Sequence, residues 1–154
     1  VFNDAQSALD WEEKVLQKYL LKKARLLIFF PSILLMEKYY HYLNKYNVKT
    51  RYISSNTKYK KTIIKEFTNY KYKLLLTTTL LERGITFSNI NVFVFEADHK
   101  IFTKEVLIQI AGRVGRDKIY PQGDLFFYSK YKSNAMINTL TEIKRLNKEN
   151  IDAL

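Results

Sequence analysis

Short, uninterrupted apolar runs separated by amphipathic stretches constrain this chain more than any other feature. Leu26-Leu27-Ile28-Phe29-Phe30 ends at Pro31-Ser32. A brief run of this kind, closed by a turn, suits a strand covered on both faces. Residues 72–76 and 91–95 repeat the pattern, and residues 48–53 and 125–128 are two further strand candidates. Helical spacing returns between them. It is carried by Leu9, Val15, Leu16, Tyr19 and Leu20 in residues 8–24, and by Leu34, Leu35, Tyr39, Tyr42 and Leu43 in residues 33–46. Thr57 is placed to cap a helix over 57–69, with Ile63, Ile64 and Phe67 inward. Residues 103–111 and 133–148 complete the set, the last through Met136, Ile137, Leu140, Ile143 and Leu146. Strand alternating with helix predicts right-handed βαβ units. The fold class is α/β, a three-layer parallel sheet with helices on both faces. At 154 residues the chain reads as one domain, residues 1–154, with residues 1–24 as a leading helix.

In such sheets ligands bind beyond the C-terminal ends of the strands. That rule selects Pro31-Ser32, Ser54-Ser55-Asn56 and Thr77-Thr78-Thr79, all of which carry hydroxyls. The formal net charge of +11 favours a polyanionic partner, nucleic acid before an anionic membrane surface. Part of that charge reflects a general richness in Lys, Asn, Ile and Tyr. With no cysteine, a disulfide framework and a thiolate metal site are excluded, and two histidines are too few for a histidine-based one. No apolar run approaches the ~20 residues of a membrane-spanning helix. The chain starts at Val1 without a signal-peptide pattern, as expected of a domain cut from something longer.

Two of the four glycines fall in Gln109-Ile110-Ala111-Gly112-Arg113-Val114-Gly115-Arg116. Two arginines around a glycine-rich turn suit an anion carrying spread charge, as a transferring phosphoryl group does. Upstream, Thr77-Thr78-Thr79-Leu80-Leu81-Glu82-Arg83-Gly84-Ile85-Thr86-Phe87 follows a buried strand. Threonine hydroxyls there can donate to backbone phosphates. Alone, such a segment is more often a strand end and a cap. Lys58, Lys60 and Lys61 suit a solvated helix face, and Trp11 and Tyr39-Tyr40-His41-Tyr42 suit packing more than base stacking.

Gln-x-x-Gly-Arg-x-x-Arg preceded by Thr-x-x-x-x-x-Gly resembles motifs VI and V of superfamily-two helicases and translocases. Phe29-Phe30-Pro31-Ser32 is similar to their motif IV. Order and separation match the second RecA-like domain, the helicase C-terminal domain, across residues 26–146. Gln109 stands where DEAD-box helicases have His, and Thr86 where they usually have Asp. The full strings, with Glu96-Ala97-Asp98-His99 between them, are most similar to the competence DNA-uptake ATPases, the ComFA-like proteins.

That resemblance implies an ATP-dependent single-stranded DNA translocase or helicase serving DNA uptake in transformation. Arg116 resembles the principal arginine finger, Arg113 its partner, and Gln109 the γ-phosphate reader that couples the two domains. Gly84, Thr86 and Gly112 resemble the nucleotide-facing backbone. Thr78 resembles the motif V contact to the DNA backbone, Ser32 the motif IV contact, and Ser54 or Ser55 a further one. The chain has no Gly-x-x-x-x-Gly-Lys-Ser/Thr cradle. ATP and Mg²⁺ are therefore expected mainly on a first RecA-like domain of the same protein, and the present chain alone is expected to be inactive. No metal ligand is assigned here. The implied partners are single-stranded DNA, that first domain, and other competence proteins at the uptake channel. The implied location is cytoplasmic, at the inner face of a bacterial membrane. Two alternatives stand beside this reading: a primosomal replication-restart helicase, which has a similar Gln-x-x-Gly-Arg motif, and a non-catalytic basic nucleic-acid-binding domain.

Overall fold

The computed structural model describes residues 17–18, 23–44, 49–81, 87, 89–113 and 123–152. The expected leading helix falls outside them, apart from Gln17 and Lys18, which are helical.

Among the described residues five strands form one parallel sheet: β1 (Arg25–Phe29), β2 (Thr50–Ile53), β3 (Leu74–Thr77), β4 (Ile90–Phe95) and β5 (Leu125–Tyr128). Their spatial order is β2-β3-β1-β4-β5. The helices are α1 (Ile33–Asn44), α2 (Lys60–Thr68), α3 (Lys104–Ala111) and α4 (Asn134–Asp152). Every residue of β1, β3 and β4 is buried, as their continuous apolar runs require.

Strand alternation divides the core in two. Leu26, Ile28, Leu74, Leu76, Phe93 and Phe95 pack under α1 through Met36, Tyr39 and Leu43. Leu27, Phe29, Leu75, Val92 and Val94 pack on the opposite face. There they meet Ile63 and Phe67 of α2, Leu107 and Ile110 of α3, and Met136 of α4. Helices thus cover both faces, giving the three-layer α/β fold.

Three helices begin as sequence rules expect, with a hydroxyl accepting from a first-turn amide. Ser32 Oγ accepts from Leu35 N at 3.2 Å, Thr103 Oγ1 from Val106 N at 3.2 Å and Ser133 Oγ from Met136 N at 3.1 Å. The fourth departs from expectation. Thr57 does not cap α2, because its hydroxyl accepts from Ser54 N at 2.8 Å and so closes a turn after β2. The helix instead starts at Lys60, behind Tyr59 in the left-handed region at φ 61°.

Arg25, at the opening of β1, is a buried cation within the apolar layer, only 2% exposed. Its guanidinium donates to the Phe67 carbonyl and lies 3.9 Å from the Tyr70 ring centroid and 4.9 Å from that of Phe67. Burial pulls its pKa below the ordinary arginine value. Among the described residues no helix is long and apolar enough to cross a membrane.

Candidate functional site

Register brings the hydroxyl-bearing segments to one edge. Phe29, Thr77 and Ile53 lie side by side across β1, β3 and β2. The ladder continues one step further, with Phe30 N donating to Thr77 O at 2.9 Å and Thr78 N to Ile53 O at 3.2 Å. Thr78 and Ser54 therefore occupy neighbouring positions just beyond the sheet, and Ser32 lies two residues past Phe30.

These hydroxyls are not equally available. Ser32 is exposed while it caps α1, and Thr78 is half-buried. Thr77 is fully buried, and its hydroxyl is spent on the backbone of Thr79 at 3.0 Å. Ser54 is also buried, at 6% exposure. Its oxygen accepts from Asn56 N at 3.3 Å and lies 3.4 Å from Thr57 Oγ1. Ser55 faces solvent, so of this pair Ser54 shapes the turn and Ser55 presents it.

The second group sits at the end of α3. Gln109 is exposed on its last turn. Gly112 N and Arg113 N close the helix on Ile108 O and Ile110 O, both at 3.0 Å. Gly112 has φ −67° and ψ −10°, a conformation open to any residue. An added Cβ would first meet Gln109 O at 3.4 Å, so internal packing alone does not demand a glycine.

Arg113 differs from the expectation of a second arginine offered to a transferring phosphoryl group. It is only 6% exposed, and its Nη2 donates to the Leu81 carbonyl at 2.7 Å, 32 residues away in sequence. Burial lowers its pKa from the ordinary arginine value. The reason is local: a short helix ending beside the segment after β3 offers a buried carbonyl nearer than solvent. The bond ties the Gly-Arg segment directly to the threonine-rich segment. Gly84, Thr86 and Arg116 lie outside the described residues.

Two features escaped sequence reading. The Leu81 carbonyl carries no side-chain signal. Arg25 is missed because arginine is by default a surface residue, and its aromatic neighbours lie far along the chain. His99 closes the turn before α3, its Nδ1 accepting from Ile101 N at 3.2 Å.

Comparison with known proteins agrees with the fold. Residues 11–118 match the family described as the helicase conserved C-terminal domain. The chain is 42% identical over 103 residues to the competence protein ComFA of Streptococcus pneumoniae, covering 67% of this chain and 24% of that protein. It is 34% identical over 120 residues to the competence protein ComFA of Bacillus subtilis, covering 78% and 26% respectively. The chain thus spans about a quarter of the length of these relatives. Among solved structures, RecG bound to a three-way DNA junction superposes with a TM-score of 0.68 at 19% identity. That match covers 88% of this chain and 18% of that one. The C-terminal domain of the DEAD-box protein Dbp5 gives 0.66 at 18% identity, covering 95% and 81%. At such identities these structures attest the fold. Taken with the family match and the ComFA relatives, they show that the chain belongs to the helicase conserved C-terminal domain family, as a superfamily-two RecA-like domain similar to ComFA.

Proposed function

We propose that this chain is the second motor domain of an ATP-dependent single-stranded DNA translocase that works in DNA uptake. The observation that carries the reading is the Arg113–Leu81 hydrogen bond. It joins the candidate nucleotide-facing segment to the loop leading from Thr78, the candidate DNA contact. A charge-only binding module needs no such link. The competence relatives favour uptake over replication restart.

When bound between the two motor domains, ATP with Mg²⁺ supplies the phosphoryl group whose hydrolysis drives the motion. The first domain, outside this chain, would hold the phosphates and the metal. The residues here that suit the anion are donors: the amide of exposed Gln109 and the guanidinium of Arg116, with Arg113 holding the segment in place. Gly84, Thr86 and Gly112 supply close backbone. Thr78, Ser32 and Ser55 grip the DNA backbone, with Ser54 shaping the turn. Backbone contacts carry little sequence information, so the grip is sequence-tolerant. The partners are single-stranded DNA, the first RecA-like domain and the competence machinery, at the cytoplasmic face of the membrane.

Single-stranded DNA should stimulate ATP hydrolysis by the full-length protein, while the present chain by itself should hydrolyse none. Turnover by the purified chain would refute a divided site. A substitution probes proximity to the phosphates. Gly112→Ala suits the observed backbone and should leave stability unchanged or raised by about 0.4–1 kcal/mol. In the full-length protein it should slow hydrolysis roughly 10- to 100-fold, the cost of shifting a reacting group by about an ångström. Full activity would place the nucleotide away from Gly112.

A further inference from the structure

A groove of about 510 Å³ opens beside β2, at the edge of the sheet, between α1 and the turn that follows the strand. Tyr40 of α1 and Tyr52 of β2 both line it. Their rings meet edge to face, with centroids 4.9 Å apart and planes at 70°. The contact fixes Tyr52 in place, yet 38% of the residue stays exposed. Ser54 and Lys58 line the groove, as does Arg51, whose guanidinium lies 4.0 Å from the Glu66 carboxylate. Glu37 also lines it.

We propose that this groove takes a nucleobase of the single-stranded DNA whose backbone crosses the strand ends. The idea rests on the DNA-binding reading above and adds to it a base contact. A π-face held in advance by a neighbouring ring loses little freedom when a base stacks on it, and stacking tolerates any base. Lys58 attracts a flanking phosphate. Glu37 repels a phosphate inside the groove but accepts a hydrogen bond from a base N–H. A groove meant only for backbone would gain nothing from that carboxylate. The groove also adjoins the turn that presents Ser55, so a strand held at Ser55 and Thr78 can tuck one base inward without leaving its path.

The test uses the full-length protein, a labelled oligodeoxycytidylate and an abasic oligomer of the same length. Tyr52→Ala should weaken binding of the base-bearing oligomer roughly 5- to 100-fold, the factor set by one lost base–aromatic stack, and leave the abasic oligomer unaffected. Tyr52→Phe should bind both like the parent. Unchanged affinity of Tyr52→Ala for the base-bearing oligomer overturns the base pocket alone, with DNA-stimulated hydrolysis still in force. Equal loss on both oligomers also overturns it, since that is the mark of a damaged fold or a lost backbone contact. If the parent protein binds neither oligomer and DNA fails to stimulate hydrolysis, the underlying DNA-motor reading falls with it.

Discussion

Arg116→Ala in the full-length protein is expected to reduce DNA-stimulated ATP hydrolysis by about 10³- to 10⁵-fold while leaving nucleotide binding close to normal. The asymmetry follows from when the charge is needed. Charge on the transferring group spreads only as the bond to the leaving oxygen breaks, so a finger stabilises the transition state more than the bound ground state. Steady-state hydrolysis and fluorescent-nucleotide titration read the two effects separately. A near-normal kcat would remove Arg116 from this role. In the proposed site the two motif arginines divide the work unequally. Arg113 is already committed to the Leu81 carbonyl in the free domain, which makes it the residue that positions the segment. In the proposed site the finger's role then falls to Arg116.

The other large effect concerns stability. Arg25→Ala should destabilise the fold by about 3–5 kcal/mol, combining a buried cation–π contact with a charge-assisted hydrogen bond. The guanidinium stacks against Tyr70 and Phe67 and donates to the Phe67 carbonyl, so it staples β1 to the end of α2. Its removal leaves a void among the rings that is not easily filled, and it strips the Phe67 carbonyl of its charged donor, leaving that oxygen the bond from Tyr70 N at 3.1 Å. Arg25→Met should recover part of the loss, because the aliphatic stem still packs. Urea unfolding curves measure both variants, and a loss under about 1 kcal/mol for alanine would mean the aromatic cage holds nothing that matters.

Much of this architecture is readable from the chain. β1, β3 and β4 announce themselves because burial on both faces favours a nearly continuous apolar run, broken only by Arg25, Asn91 and the terminal Thr77. Thr103 signals the start of α3 because a hydroxyl ahead of a helical stretch has few other uses. Thr57 misleads for the opposite reason: it has a competing use, and Ser54 takes its hydroxyl. The strand order β2-β3-β1-β4-β5 is written in no local pattern, since neighbours in the sheet are remote in sequence. The candidate site divides in the same way. Thr78, Ser32 and Gln109 are found by motif and lie at the strand ends or the helix end expected of them. Which of Ser54 and Ser55 faces outward is decided by a turn, and Arg113 turns inward toward a main-chain oxygen that no residue letter advertises.

The Arg113–Leu81 bond has a practical corollary for protein engineering. Residues 109–116 are not a transplantable cassette. Moved into another α/β scaffold without the loop that follows β3, they would bury a guanidinium where nothing has been arranged to receive it, and the host would distort the graft or expel it. The smallest unit worth transferring is a pair of segments separated by 32 residues, carried with the strand spacing that lets one reach the other.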